Sequence, residues 1–286
     1  KARGYFFPHK NSLFYKCFNC DISLKFSSFL KNIDGLLFDQ YNLENFSNKP
    51  SSNSLPNFKF EQPVFKNKSQ KLLENIVTSL SELNDEHEAV KFCLNRNIPK
   101  DKFKNIYYID EIKKIVQLNK DYETSIKSKE PRLVFPFYDE DKNLTAVTCR
   151  GIRDEALRYI TVKIQDDKPL IYGLESIDNK KIINVVEGPI DSLFLDNSIA
   201  IAGTSLNKLV TKIYYNMVII YDNQPRNKQV CDQIEKAIDN QHQVVIWPQN
   251  IVEKDINDMV NSKLDVKKII KNNTFSGLHA KMHYIG

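Results

Sequence analysis

From residue 182 onward the chain alternates apolar, β-type runs with polar turns and helix-patterned stretches, and this alternation restricts the possible folds more than any other feature. Strand-type runs fall at 182–187, 199–202, 217–221 and 243–247. Helical spacing falls near 189–196, 205–214, 226–240 and 255–271. Strand–helix–strand order predicts a mostly parallel sheet with helical crossovers. Ligands of such sheets gather outside the carboxyl ends of the strands. Two of the runs stop abruptly in an acid there: IINVV leads into Glu187, and MVIIY into Asp222. Acids delivered to neighbouring strand ends can hold one or two hard cations, and such cations act on phosphates.

The residues after each acid have local readings of their own. Gly188 is expected to take a tight turn that lets backbone approach a ligand, and Pro189 suits the first turn of a helix. Asp191 then falls in that first turn, where an acid is often only a cap. Asp222 is followed by Asn223-Gln224-Pro225, which is turn chemistry, and alone it too reads as a cap. Paired with Glu187 in one fold, it reads as a metal ligand. KDINDMV sets Asp255 and Asp258 at the start of the last expected helix, where complementing the helix dipole competes with ligation.

Upstream the pattern changes. Residues 1–46 are aromatic and contain Cys17 and Cys20 at CxxC spacing, half of a tetrahedral zinc site. Residues 47–70, rich in Ser, Asn and Pro, read as a linker. Leu72, Leu73, Ile76, Val77 and Leu80 recur at helical spacing, Val90, Phe92, Cys93 and Leu94 fit a second helix, and Ile112, Ile115, Val116 and Leu118 a third. RLVFPFYDEDKNLTAVTCRGI reads as a hairpin turning at DEDKN. Arg150, Arg153, Arg158 and Lys163 crowd one segment, and guanidinium forks suit phosphates; a solvated charged face is the alternative.

The 286 residues fit about two domains. A net charge of +5 permits nucleic-acid binding without requiring it. There is no run of 18 apolar residues, so no membrane span is expected, and no signal peptide is visible. The first residue is not Met, so upstream residues are expected. Five cysteines, three of them scattered, suggest reduced thiols and not a disulfide framework.

EGPID, YDN and KDIND, in that order over ~70 residues, resemble the toprim fold of primases and topoisomerases. The stretch from Arg132 through PLIYGL is similar to the region before toprim in bacterial DnaG-type primases: R-x-x-F-P, a G-R-like turn, a basic–Tyr pair, then L-Y-G-L. AIAGTSL (200–206) resembles the family's G-T-S loop. DNQPRNK looks most like the primases of T-even-type bacteriophages. The likeness covers roughly 130–260. GYFFPHKNSLFYKCFNC resembles the second half of a primase zinc ribbon, with its first ligand pair upstream of Lys1. VKFCLNRNIPKDKF resembles the helix and arginine between the zinc and polymerase domains, and is given a structural role.

The resemblance implies an α/β toprim core with a mostly parallel sheet (182–286, including a C-terminal tail). Before it come an α+β basic subdomain of the RNA polymerase domain (71–181), the linker (47–70) and a partial zinc ribbon (1–46). It implies a DNA primase, a DNA-dependent RNA polymerase making short RNA primers. Glu187 and Asp222 would be catalytic and, with Asp255, hold Mg2+ or Mn2+, with Asp191, Gln224 and Asn257 in support. Arg150, Arg153, Arg158, Lys163 and Lys168 are the candidates for nucleotide or DNA, the two lysines competing for one family position. Zn2+ is expected if the upstream ligand pair is present. Expected partners are single-stranded DNA template, ribonucleoside triphosphates and a replicative helicase, in the cytoplasm of an infected bacterium. The family usually carries D-x-D where this chain has Asp222-Asn223-Gln224, and many relatives an acid where Asn257 stands; both lower the charge available to a cation. A nuclease or topoisomerase component, or a silent toprim that only binds DNA or helicase, are the alternatives.

Overall fold

The computed structural model describes residues 4–9, 12–17, 22–47, 68–202 and 216–285. The chain divides into two compact units, 1–63 and 64–286. In the first, β1 (Gly4–His9), β2 (Ser12–Cys17) and β3 (Ser23–Lys25) form an antiparallel sheet in sequence order. Facing partners Phe6 and Tyr15 bring their rings to 5.2 Å. Phe29, from helix Phe26–Ile33, packs on both, at 4.8 and 4.5 Å. Aromatic rings supply large contact areas, which suits so small a unit. Asp34 ends this helix and starts the next, Gly35–Ser47: its Oδ1 accepts the Leu36 N–H at 2.8 Å. The Cys17 N–H donates to the Ile22 carbonyl. Cys20 lies outside the described residues.

The second unit contains two sheets. β4 (Thr78–Ser79), β5 (Tyr107–Ile109), β6 (Arg132–Tyr138), β7 (Leu144–Gly151) and β8 (Tyr159–Lys163) are antiparallel and adjacent in chain order. The expected hairpin is β6–β7. Asp139 holds its turn, accepting from the Asp141 and Asn143 N–H groups. The expected first helix is Lys68–Ile76, shorter than its apolar pattern, because Thr78–Ser79 pairs with β5 and buries Leu80 beside it. The second is Glu88–Asn95. The third is a 3-10 helix, Ile112–Gln117; its buried pair Ile112 and Ile115, three apart, fits either period.

The other sheet comprises β9 (Ile171–Tyr172), β10 (Ile183–Val186), β11 (Ser198–Ile201), β12 (Met217–Ile219), β13 (Gln243–Val245) and β14 (Thr274–Phe275). Their order is β14-β13-β12-β10-β11-β9. The four central strands are parallel and the two edges antiparallel, so the sheet is mixed. From β10 the chain steps to β11 on one side, then returns to β12 on the other. The winding therefore reverses between β10 and β12.

Crossovers differ from expectation in length. Helix 189–196 shrinks to Pro189–Ser192, and 226–240 to Lys228–Asp239, capped by the Asn227 side chain. Helix 255–271 splits into Ile256–Asn261 and Val266–Asn272. Lys263 takes a left-handed φ of 61°, the Leu264 N–H returns to the Met259 carbonyl, and Asp265 caps the second piece. The expected helix at 205–214 and the G-T-S loop at 203–205 lie outside the described residues. Gly173, in the LIYGL string, has φ 85° and begins the turn Leu174–Ser176; only glycine takes that backbone without strain. Tyr172 joins the two sheets, its ring 5.9 Å from both Phe135 and Phe137 of β6. No helix among the described residues is long and apolar enough to cross a membrane.

Candidate active site

A cavity of about 760 Å³ opens outside the carboxyl ends of β10 and β12, at the point where the winding reverses. Its floor is acidic: Glu187, Asp191, Asp222, Asp255 and Asp258 all line it. Its opposite wall carries Arg96, Arg150, Arg158 and Tyr159, with Thr148 and Thr161 between.

Glu187 and Asp222 are brought together by the β10–β12 pairing. The Asp222 N–H donates to Glu187 Oε1 at 3.2 Å. Glu187 still reaches solvent, but the cavity walls displace much of its hydration, and its carboxyl is raised first by that desolvation and then by the Asp222 charge. Burial likewise raises Asp222, against Lys254. Asp222 Oδ2 lies 3.4 Å from Lys254 Nζ and accepts from Gln224 Nε2 at 3.1 Å. Asn223 positions that lysine. Its N–H donates to the Lys254 carbonyl and its side-chain amide to the carbonyls of Ile251 and Glu253.

Asp191 does not cap its own short helix; the N-cap is Gly188, with no side-chain bond. Its Oδ1 accepts the Asn257 N–H at 3.0 Å. Burial, then the Asp255 charge, push its carboxyl up to about 7, with Asp222 and Asp258 adding to the rise. Gly188 is extended (φ −112°) and not in the expected tight turn. A Cβ there would lie 3.0 Å from Asp191 Oδ2, so the glycine makes room for a carboxylate. Asp255 is the N-cap of Ile256–Asn261, accepting the Asp258 N–H at 2.8 Å, and it lines the cavity as well.

Asn257 is buried and committed to Arg96: its Oδ1 accepts from Arg96 Nη1 at 2.5 Å, and its Nδ2 donates to the Arg96 carbonyl at 2.7 Å. This clamp brings Arg96 to the wall. Burial, and then the Arg150 charge, lower the Arg96 pKa. Both guanidiniums lie over the Phe92 ring, at 4.9 and 5.7 Å, and Arg150 also over Tyr159 at 4.8 Å. Arg150 Nε is buried without a hydrogen-bond partner. Such a group next to a cavity suits an incoming anion.

Other sequence candidates lie elsewhere. Arg153 turns away to Glu88, 2.7 Å from Nη2 to Oε2. Lys163 shares its strand face with Tyr159 and Thr161 but is not in the cavity lining. Lys168 pairs with Asp139 at 3.4 Å. Gln224 lines a separate, open groove with Arg226 and Asn227. Arg96 and Lys254 were not site candidates in the sequence; both reach the cavity through contacts distant in the chain.

Among the described residues, no three His, Cys, Asp or Glu side chains form a group that could hold a metal ion as they stand. The donors nevertheless fit Mg2+ in kind. They are hard carboxylate oxygens, and Mg2+ is commonly held by one or two carboxylates plus water and substrate phosphates, not by a protein cage.

No protein-family model matches the chain. The DNA primase of Enterobacteria phage T4 is 30% identical to it over 290 residues, spanning 99% of this chain and 84% of that protein. Among solved structures, the Aquifex aeolicus primase (zinc-binding and RNA polymerase domains) aligns over 96% of this chain and 80% of its own, at TM-score 0.50 and 17% identity. A DnaG primase catalytic domain bound to single-stranded DNA aligns over 75% and 81%, at TM-score 0.56 and 16% identity. The fold is thus that of DnaG primase cores, and the near full-length match to the phage protein settles membership: this chain belongs to the DNA primase family.

Proposed function

We propose that this primase makes short RNA primers on single-stranded DNA by Mg2+-dependent nucleotidyl transfer in the cavity between its acidic floor and basic wall. The observation that carries this reading is the meeting of Glu187 and Asp222 at the switch point of the mixed sheet, opposite Arg150 and Arg158. The mixed sheet and its crossovers are read as a toprim core, 182–286, and the antiparallel sheet as part of the subdomain 71–181. Residues 1–46 are read as a partial zinc ribbon ending at Cys17 and Cys20, joined by the linker 47–70.

Glu187 and Asp222 would hold Mg2+ or Mn2+, with Asp255 assisting. The bound cation supplies Lewis-acid stabilisation to the reacting phosphate and favours the ionised 3′-hydroxyl. The chain's own residues bind and orient. Arg150 offers its unpartnered Nε, and Arg158 and Arg96 further forks, to the triphosphate. Asn257 fixes Arg96, and Asp191 anchors the start of the Ile256–Asn261 helix beside the acids. Gln224 orients Asp222. Arg153, Lys163 and Lys168, outside the cavity, would follow the template backbone. Single-stranded template, ribonucleoside triphosphates and a replicative helicase are the proposed partners, in the cytoplasm of the infected host, with Zn2+ at the ribbon where the upstream ligand pair is present. A primer-synthesis assay on single-stranded DNA with Mg2+ tests the reading: Glu187→Gln should be inactive while folding normally. Primer synthesis retained in that variant would remove the cation assignment.

A further inference from the structure

The helix Gly277–Ile285 carries His279 and His283, one turn apart, and neither lines the cavity described above. Residues four apart on a helix face the same way, and two histidines so placed are a recurrent zinc-binding pair. The geometry here is specific. The two Nε2 atoms are 3.3 Å apart. Two nitrogens bound to one tetrahedral zinc at about 2.0–2.1 Å stand about 3.3–3.4 Å from each other. The ring centroids are further apart, 4.8 Å at 70°, so the two nitrogens turn toward each other. Phe275, on the edge strand β14, holds the rings. It stacks flat on His283 at 3.9 Å and meets His279 edge-on at 5.0 Å. The competing account of the pair is a single N–H···N hydrogen bond.

We propose that His279 and His283 form a two-nitrogen site for a borderline divalent transition cation such as Zn2+. Imidazole selects such cations over Mg2+, which prefers oxygen, so this site and the acidic cavity would not compete for one metal. Among the described residues no third His, Cys, Asp or Glu completes a closed set. Water or an exchangeable ligand therefore fills the other positions, as at open zinc sites. Binding would tie one turn of the helix together and stabilise the folded chain by an amount that rises with the logarithm of free Zn2+ above its Kd.

The test is isothermal titration of ZnCl2 into the full, unaltered chain and into His279→Ala and His283→Ala, each checked for folding by circular dichroism. Wild type should bind one more Zn2+ than either variant. Equal stoichiometry in all three would overturn the proposal. Long-range 1H–15N spectra of the imidazoles give a residue-resolved second reading that thiolate-bound zinc cannot imitate. Both Nε2 resonances should shift on adding one equivalent beyond any thiolate site. If His279 and His283 stay unmoved at saturation, the pair is only a hydrogen-bonded stack and the site does not exist.

Discussion

The two sheets of the second unit meet at one cavity but deliver their charges to it in opposite ways. The antiparallel sheet carries Arg150 within the body of β7, buried, with its guanidinium between the rings of Phe92 and Tyr159. The mixed sheet carries its acids beyond the strand ends, with Glu187 directly after β10 and Asp222 three residues after β12. A charge inside a strand is part of the packing. The acids beyond the strand ends line a cavity instead, where burial first, and like-charged neighbours after it, raise the carboxyls of Glu187, Asp191 and Asp222. Perturbed carboxylates of that kind are the mark of a site arranged for chemistry. Substitution at Glu187 on the floor should therefore separate activity from stability, and substitution at Arg150 in the wall should not.

The largest effect is expected at Glu187. Glu187→Gln keeps an acceptor for the Asp222 N–H but removes the charge proposed to hold the cation. Primer synthesis should fall about a thousandfold or more, because a bound cation is worth several kcal/mol to charge development at phosphorus. The thermal midpoint should stay level or rise. A clear fall in midpoint would place Glu187 in the packing and break the contrast between floor and wall.

Asp191 gives the floor a pH signature. Its folded carboxyl titrates near 7, against about 3.9 when unfolded. Between those values the folded chain holds a proton that the unfolded chain has lost, so stability falls as pH rises. The contribution is fully present below about pH 4 and lost above about pH 7, a change on the order of 4 kcal/mol. Asp191→Asn keeps the acceptor for the Asn257 N–H and removes this dependence. Urea unfolding should find the variant more stable than wild type at pH 8, with the gap closing towards pH 4. A gap independent of pH would mean that Asp191 is not pressed by its neighbours.

The wall is tested by comparing Arg150→Ala with Arg158→Ala. Both should weaken nucleotide or single-stranded DNA binding, and each should reduce the slope against log salt by about 0.7 per lost phosphate contact. Only Arg150→Ala should also lower the thermal midpoint, by the equivalent of about 2 kcal/mol, since it removes a guanidinium stacked between two rings as well as a charge. Equal midpoints in the two variants would erase the distinction between a charge in a strand and one beside it.

The same contrast explains what the sequence disclosed. Glu187 and Asp222 were legible because an apolar run ending in an acid fixes both the strand and the position at its end. The β6–β7 hairpin was legible from alternation around DEDKN, whereas β4 and β5, two and three residues long, are too short to alternate. The break at Lys263 was hidden because apolar spacing continues across it. Arg96 was hidden for a tertiary reason: its place depends on Asn257, 161 residues away. Asn257, read from the sequence as a weakened ligand position, is a buried clamp whose side chain is already engaged. Lys254 was hidden because its place depends on how Asn223 ties the 251–254 segment.

Lys254 and Gln224 give smaller effects, of a few-fold. Both donate toward Asp222 Oδ2, one as a cation and one as a neutral amide. Lys254→Ala removes a resident positive charge from the acid proposed as a cation ligand, and Gln224→Asp adds a negative one beside it. Each should lower the half-saturating Mg2+ concentration in primer synthesis, by about threefold for an exposed charge near the surface. An unchanged titration in Gln224→Asp would put that residue outside the coordination sphere, consistent with its place in the neighbouring groove.

The smallest effect is expected at Arg153, and it sharpens the comparison by lying on neither surface. The sequence groups it with Arg150 and Arg158, yet its guanidinium pairs with Glu88 at 2.7 Å, outside the cavity lining. Exposed pairs of this kind contribute little to stability. Arg153→Ala should therefore leave the thermal midpoint nearly unchanged and nucleotide affinity within about twofold of wild type, since its guanidinium is engaged by Glu88 outside the cavity lining. If it follows the template strand, the loss should appear only in single-stranded DNA binding at low salt, and should vanish as screening rises. A loss of nucleotide affinity as large as that of Arg158→Ala would mean that Arg153 swings from Glu88 into the cavity when substrate arrives, and the basic wall would then be assembled by the nucleotide and not built in advance by β7.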